Sequence, residues 1–454
     1  LCPYDSCRLL AINLYNYVEN PFTPDAKFNF KLFKEHVPYA HQISDSIIDL
    51  EIEKVDSILK KIEKDPEDEE TKFVERRLWE KIRHKGYEGR RMGLGITAEG
   101  DMLAALGLRY GSDEAIGFST EVHKTLAIET YRSSVRLAKE RGVFSIYDPK
   151  REKDNPFIQR IKGEDEELYK DMVKHGRRNI SLLTIAPTGT TSIMAQTTSG
   201  IEPVFLPAYK RRKKLNPSDK NVNVVFVDNV GDSWEEFNVF HPKFEVWLEK
   251  NGYNPKEVKG YPDDKLNEIV EKSPYYKATS NDVDWVQKVK MQGEIQKWVD
   301  HSISVTINLP NKIKEELVDE LYLKAWESGC KGVTIYRDGT RESIMRSGKE
   351  DRKPFPKERP ESLDAAVIRF TNEDEKWIAF VGLYDRRPFE IFTGQIDEEV
   401  LAVPTSIKKG QIVDIEEAVN SINTSLEAAE RMAGYSASRV IASIGGSHIE
   451  SLNS

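Results

Sequence analysis

Residues 178–207 carry the stretch of sequence that decides the fold: RNISLLTIAPTGTTSIMAQTTSGIEPVFLP. An apolar run typical of a buried strand comes first, a loop of small and hydroxyl residues follows, and a second Ser-Gly loop ends at Pro203. Further along, amphipathic helices alternate with short apolar strands, as in 284–309 and 313–328. This alternation predicts an α/β architecture.

The small-residue loop in this stretch is the strongest candidate for a binding site. It consists of Pro187, Thr188, Gly189, Thr190, Thr191 and Ser192. Consecutive small residues allow backbone amides to surround an anion, and a helix that begins near Ile193 would direct its N-terminal N–H groups at the same anion. Each hydrogen bond to a charged oxygen contributes about 1.5–3 kcal/mol, so several together would hold a phosphate without a lysine. The alternative is that the loop merely caps the helix.

Composition limits the class of protein. The chain has 454 residues, of which 39% are hydrophobic and 31% charged, as in globular proteins of several domains. The formal net charge of -9 argues against coating of nucleic acid, so we expect no direct DNA binding. No apolar stretch reaches the roughly 18 residues of a membrane helix, so we expect no membrane partner.

The cysteines are Cys2, Cys7 and Cys330, too few for a secreted disulfide framework. With no CxxC pair and no His or Cys cluster, a reducing cytoplasm is expected and no metal site is predicted. Cys7 lies in an apolar, strand-like segment, 6–18, where a free cysteine is usually a small hydrophobe, so a redox role would need a partner. The 8 histidines show no metal-binding spacing and are interpreted as surface or core polar groups.

Local patterns predict the elements of the first 110 residues. The apolar spacing in 28–63 predicts an amphipathic helix, or a helix pair split near Pro38. The acidic segment 64–76 is predicted to be a solvated loop, and 90–107 a Gly-rich turn that enters a helix.

The last hundred residues divide by composition. Residues 347–362 hold three prolines and almost no apolar side chain, which indicates a linker. Three β-type runs then predict a small β-rich module over 363–413. Residues 414–454 form an uncertain, partly helical tail.

Five ordered motifs resemble the large catalytic subunit of ribonucleotide reductase, particularly its adenosylcobalamin-dependent class. They are PYDSCRLLAINLYNYVENPFT at 3–23, RRMGLGITAEGDMLAALGLRYGSDEA at 90–115, APTGTTS followed by SGIEPVF at 186–205, NLP at 308–310 and GCKGVTIYRDGTR at 329–341. The resemblance implies that 1–346 is the second half of a ten-stranded α/β barrel with connecting helices. The β-rich module looks like a C-terminal appendage of some cobalamin-type members.

The resemblance also implies a chemistry. A thiyl radical generated with adenosylcobalamin would start reduction of the ribose 2′-hydroxyl of a ribonucleoside di- or triphosphate, with the protein supplying position and exclusion of water. Cys7 matches the second reducing thiol, 187–192 matches the substrate-phosphate loop, and Tyr336 matches an aromatic near the thiyl cysteine. A thioredoxin-type reductant and a homodimer are the further partners that the family implies.

Departures from the family pattern leave alternatives open. The thiyl-cysteine loop would end just before Leu1, so we expect the sequence to start inside a longer polypeptide whose upstream half is the missing partner. The subunit-dependent class has two adjacent tyrosines where this chain has Ile335 and Tyr336, which favours the cobalamin class. The alternatives are a subunit-dependent large subunit and a non-catalytic nucleotide- or phosphate-binding protein.

Overall fold

The computed structural model describes residues 3–214, 226–227, 233–337, 363–372, 375–384, 387–395, 407–408 and 411–412. The predicted linker at 347–362 and the predicted tail at 414–454 lie outside these residues, as does Cys2. The chain separates into two units, residues 1–347 and 348–454. No helix within the described ranges is long and apolar enough to cross a membrane.

Helices and strands alternate through the first unit. Its strands are β1 (Arg8–Asn13), β2 (Val18–Glu19), β3 (Lys27–Phe28), β4 (Met92–Thr97), β5 (Ala208–Lys214), β6 (Phe226–Val227), β7 (Ser233–Phe240), β8 (Thr306–Leu309) and β9 (Thr334–Arg337). Its helices are α1 (Phe30–Ile62), α2 (Glu69–Gly89), α3 (Glu99–Ala105), α4 (Asp113–Arg141), α5 (Pro149–Glu152), α6 (Pro156–Glu164), α7 (Glu166–His175), α8 (Gly189–Ala195), α9 (Pro242–Lys250), α10 (Pro255–Val258), α11 (Asp263–Glu271), α12 (Trp285–Gln296) and α13 (Glu315–Glu327), and a 3-10 turn spans Leu14–Tyr17.

Parallel pairing organises the strands that matter for the site. β1 pairs with β4 over its whole length, from Arg8 opposite Met92 to Asn13 opposite Thr97. Single parallel bridges extend this pairing from β4 to residues 181–185 and on to 301–305. The chain then continues into β8, which pairs with β9 in parallel. The α/β architecture is therefore confirmed, while no closed barrel forms among the described residues.

Strand β4 corrects the prediction of a Gly-rich turn at 90–107. All six of its residues are buried. Gly95 allows this burial, because a Cβ there would lie 2.0 Å from the carbonyl oxygen of Thr184 on the neighbouring segment. The glycines therefore serve close approach of two backbones in a parallel arrangement, and the turn lies only at the end of the strand.

Helices α1 and α2 differ in part from the predicted pattern. α1 is continuous through Pro38, so of the two alternatives predicted for 28–63 the single helix forms and the split pair does not. The predicted acidic loop ends at Asp68, because α2 begins at the next residue. The Asp68 carboxylate accepts the N–H of Thr71 at 2.9 Å, and two glutamates occupy the first turn, where negative charge is favourable.

The core of the first unit lies between these strands and helices. Met92, Leu94 and Ile96 of β4 are fully buried and belong to the same hydrophobic core as Phe33 of α1 and Leu126 of α4. Alternate residues of β4 thus cover the helix-facing side of the sheet, and the glycines and Thr97 cover the other.

The second unit contains the three predicted β runs, now resolved as an antiparallel sheet. Its strands are β10 (Asp364–Asn372), β11 (Glu375–Tyr384) and β12 (Arg387–Gln395), in the order β10-β11-β12, and a two-residue pair follows as β13 (Ile407–Lys408) and β14 (Gln411–Ile412). The central strand buries Trp377, Ile378 and Val381.

Candidate functional site

Cys7 lies immediately before β1, half-buried and unpaired. Its sulfur packs over Gly93 of β4, where an added Cβ would lie 2.7 Å from Cys7 Sγ and 2.5 Å from Thr184 Cγ2. The absence of a side chain at Gly93 therefore makes room for the thiol. Cys7, Gly93 and Thr184 share one face of three neighbouring strand segments.

A histidine that sequence reasoning set aside contacts this thiol. His301 Nδ1 lies 3.7 Å from Cys7 Sγ, and Arg91 Nη1 lies 2.8 Å from His301 Nε2. Arg91 Nε in turn donates to Asp5 at 2.5 Å. Burial raises the pKa of the Cys7 thiol to about 11, although Arg91 opposes the shift. Burial also lowers the pKa of His301 below its usual value, against the effect of Asp300.

The half-buried carboxylate of Asp300 holds the backbone next to His301. Its carboxylate accepts the backbone N–H groups of Leu182 and Leu183, each at 2.8 Å. The Tyr131 hydroxyl of α4 donates to the same carboxylate at 2.7 Å. Asp300 therefore fixes residues 300–301 to the neighbouring strand segment and to a helix.

The predicted phosphate loop forms a strand-to-helix turn. Helix α8 begins at Gly189 and spans seven residues, so the predicted start near Ile193 is wrong. Thr188 precedes it in the left-handed conformation, with φ of 52°. The Gly200 N–H donates to Thr188 Oγ1 at 2.8 Å, and Thr97 Oγ1 lies 3.0 Å from the same atom. Thr188 thus joins the end of β4 to the second loop at 197–202.

The remaining loop residues divide into a buried anchor and an exposed rim. Ser192 is buried, and its hydroxyl lies 2.8 Å from the Gly189 carbonyl oxygen and 2.6 Å from Ser199 Oγ. The exposed residues are Pro187, Gly189, Thr190 and Thr191. The first amides of a helix have no acceptor within the helix, so this rim presents N–H groups together with threonine hydroxyls.

Strand β4 connects the two halves of the candidate site. Gly93 lies beneath Cys7, and Thr97 bonds to Thr188 of the predicted phosphate loop. Residues four apart on a strand lie on the same face, about 13 Å apart at roughly 3.3 Å per residue. The thiol and the loop therefore occupy opposite ends of one face of β4.

A buried carboxylate that sequence reasoning missed supports the second loop. Asp101 has no solvent exposure and accepts the Thr198 N–H at 2.7 Å. His241 Nε2 lies 2.8 Å from its other oxygen, and the Tyr275 hydroxyl donates to that oxygen at 2.9 Å. The spacing of these residues gives no sequence signal, because they lie 140 and 174 positions away from Asp101.

An ion pair on the far side of the loop anchors it to β8. Glu202 Oε1 accepts the Thr306 N–H at 2.6 Å, and its other oxygen accepts from Lys288 Nζ at 2.6 Å. Lys288 also donates to the Thr306 carbonyl oxygen at 2.6 Å and is buried. The second loop is thus fixed at both ends.

Tyr336 lies on β9, in register with Asn308 of β8. β1, which begins directly after Cys7, and β9, which carries Tyr336, lie at opposite ends of the run of parallel pairs, so strand pairing does not place these residues side by side. The role of Tyr336 stays a prediction. In the part of the chain that the structure describes, no three His, Cys, Asp or Glu side chains cluster as metal ligands.

Comparison with known proteins places this architecture in a family. The family model described as "Ribonucleotide reductase, barrel domain" matches residues 2–336, and the model described as "NrdJ homologue C-terminal domain" matches residues 363–433. A vitamin B12-dependent ribonucleoside-diphosphate reductase of Thermoplasma acidophilum is 30% identical over 360 residues, which cover 79% of this chain and 39% of that protein. A vitamin B12-dependent ribonucleoside-diphosphate reductase of Mycobacterium tuberculosis is 28% identical over 357 residues, which cover 76% of this chain and 41% of that protein.

A solved structure, the class Id ribonucleotide reductase alpha subunit of Actinobacillus ureae, aligns at 18% identity with a TM-score of 0.46, covering 73% of this chain and 50% of that one. This chain spans about two fifths of the length of the two curated relatives above, with 39% and 41% covered. The barrel-domain model alone matches well over half of the sequence. The chain therefore belongs to the ribonucleotide reductase family.

Proposed function

We propose that this chain is the part of a cobalamin-dependent ribonucleotide reductase that holds one reducing thiol and the substrate phosphate. The observation that carries the proposal is the link through β4, whose Gly93 lies under Cys7 and whose Thr97 bonds to Thr188. A phosphorylated ribose that lies along this face would have its sugar toward the thiol and its phosphate toward the loop. Such an orientation is what reduction at the 2′ position requires.

The loop supplies the binding energy in this proposal. The rim amides and the hydroxyls of Thr190 and Thr191 donate to phosphate oxygens, and hydrogen bonds to a charged acceptor contribute about 1.5–3 kcal/mol each. Thr188 acts indirectly, because its hydroxyl accepts the Gly200 N–H and so holds the two loops together. The substrate is a ribonucleoside diphosphate or triphosphate.

Cys7 supplies one of two reducing thiols and becomes part of a disulfide in each turnover. A thioredoxin-type dithiol then restores it, which is consistent with a cytoplasmic enzyme. The second thiol and the thiyl cysteine belong to the upstream half of the reductase. A homodimer of the whole reductase is the expected assembly.

Adenosylcobalamin would supply the radical. The relatives named as vitamin B12-dependent reductases support this cofactor for the whole enzyme. One cavity in the described part of the chain has a volume of about 390 Å³ and is lined by Arg77, Glu80 and Lys81 among others. A cavity of that size suits a drug-sized ligand and not a corrin, so its lining residues are not assigned to the cofactor.

Binding of a nucleoside diphosphate to the chain tests the loop. We expect Thr188→Val to weaken binding about tenfold or more, because the change leaves the Gly200 N–H without its acceptor. Thr120→Val is the matched control, because its hydroxyl bonds only within α4, to the Ile116 carbonyl oxygen. Isothermal titration of both variants measures the difference, and equal affinities would contradict the role of the loop.

Turnover tests the thiol. In the complete reductase, assayed with adenosylcobalamin and reduced thioredoxin, Cys7→Ser is expected to abolish deoxyribonucleotide formation. Cys330→Ser is the control, because Cys330 is also half-buried and its nearest polar partner is the Val289 carbonyl oxygen at 3.8 Å. Activity that survives in Cys7→Ser rejects the proposal, and activity only with a radical-generating subunit rejects the cobalamin assignment.

A further inference from the structure

The hydrogen bonds around His301 determine which of its ring nitrogens carries the proton. Arg91 Nη1 lies 2.8 Å from Nε2, and a guanidinium has only donors. Nε2 must therefore accept and holds no proton. Because burial lowers the pKa of His301, the ring is neutral near pH 7 and its single proton lies on Nδ1. That nitrogen is the one 3.7 Å from Cys7 Sγ.

Arg91 is itself held in place, so this choice of tautomer is built into the fold. Its Nε donates to Asp5 at 2.5 Å, and the two side chains are only 12% and 7% exposed. Rotation of the guanidinium away from His301 would break a largely buried ion pair. The N–H that faces the Cys7 sulfur therefore depends on a chain of three side chains, in which Asp5 holds Arg91 and Arg91 holds His301.

Charged groups near the thiol come from the segments around residues 5–8, 91 and 300. Arg91 and Arg8 favour the thiolate, whereas Asp300 and Asp5 oppose it. Lys331 also faces His301 and disfavours its protonated form. These charges partly cancel, so a directed N–H on the sulfur is the most specific stabilisation available to the thiolate.

We propose that His301 is a positioning residue for Cys7, and that its Nδ1–H donates to the Cys7 sulfur and stabilises the thiolate that forms when the Cys7 disulfide is reduced. This inference rests on the proposed function. A thiolate of the external dithiol attacks the partner sulfur, so that a new S–S bond forms and the electron pair of the broken bond leaves on Cys7. The second thiol of the dithiol then displaces the partner cysteine, and the two protons of the dithiol end on the two cysteines. A less basic leaving thiolate leaves faster.

Alkylation of Cys7 as a function of pH tests the inference without any turnover. In a chain with Cys2→Ser and Cys330→Ser, Cys7 is the sole thiol, and iodoacetamide reports its thiolate. His301→Phe is expected to raise the thiol pKa by about one unit, which lowers the thiolate fraction near pH 8 about tenfold. Because a more basic thiolate is about threefold more nucleophilic, the rate at that pH should fall about threefold.

The conservative variant His301→Asn distinguishes loss of the hydrogen-bond donor from a change in packing around the thiol. The amide nitrogen of His301→Asn takes the place of Nδ1 as a donor, so this variant should restore the pH profile of the parent chain. An unchanged profile in His301→Phe, or an equal loss in both variants, overturns the inference.

Should His301→Phe fail to fold, nitrogen-15 NMR of the histidine-labelled parent chain decides. The proton is expected on Nδ1 of His301, and a proton on Nε2 overturns the inference. The outcome is separate from the proposed function, because loss of turnover in Cys7→Ser does not depend on the protonation of His301.

Discussion

Removal of the Asp101 carboxylate is expected to destabilise the fold and the loop together. Asp101→Ala removes the acceptor of two buried donors, the Thr198 N–H and the Tyr275 hydroxyl, and of the part-buried His241 Nε2. An unsatisfied buried donor costs about 1–3 kcal/mol. Relaxation and entry of water keep the sum toward the lower end, so the free energy of unfolding should fall by about 3–5 kcal/mol, as when a buried ionic contact loses one partner.

Urea unfolding monitored by circular dichroism measures this change, and nucleotide titration of the folded variant measures its effect on the loop. Asp101→Asn keeps the volume and one acceptor, so it should lose less stability than Asp101→Ala. The control is Asp154→Asn, because the Asp154 side chain is 87% exposed and its change should cost under about 0.5 kcal/mol. An Asp101→Ala variant that unfolds at the same urea concentration as the control refutes the reasoning.

Two further predictions concern packing and pH. Gly93→Ala would place a Cβ 2.7 Å from the sulfur of Cys7, so thermal unfolding should show that the free energy of unfolding falls by about 1–3 kcal/mol. Gly117→Ala is the control, because an added Cβ there meets no neighbouring atom within 4 Å, and its free energy of unfolding should rise by about 0.5–1 kcal/mol. Equal effects of the two changes would contradict the packing described. Burial lowers the pKa of His41 to about 4 from its usual 6.5, so the unfolded chain takes up this proton first as the pH falls. The contribution of neutral His41 to the free energy of unfolding is complete above about pH 6.5 and lost by about pH 4, a decrease of about 3 kcal/mol. Urea titrations at several pH values should detect this decrease, and His41→Asn should abolish it.

The sequence allowed the architecture to be predicted where a local pattern decides it. The small-residue loop at 187–192 predicted a turn between a strand and a helix, and the helix forms there, although it begins at Gly189. The three β runs after residue 363 form a sheet because alternation and turns are local signals. Predictions failed where a tertiary contact overrides the pattern, as at Gly95, whose missing side chain permits strand approach.

The candidate site could be predicted only in its outline. Cys7 and the predicted phosphate loop at 187–192 carried recognisable motifs, and β4 connects them. His301 gave no signal, because a histidine that contacts a thiol 294 positions away looks like any polar core residue until the chain is folded. The same holds for Asp101, whose partners come from three separate segments. Long-range polar networks have no sequence period, so they become visible only in the folded structure.

The carboxylate of Asp300 links helix α4 to the surroundings of the Cys7 sulfur. The Tyr131 hydroxyl of α4 donates to it, and Asp300 is directly followed by the histidine that contacts Cys7. A directed-evolution library restricted to residues around the thiol would omit Tyr131. Tyr131→Phe removes one donor from that carboxylate, and through the adjoining backbone it offers a way to adjust the reactivity of the sulfur without changing any residue that contacts it.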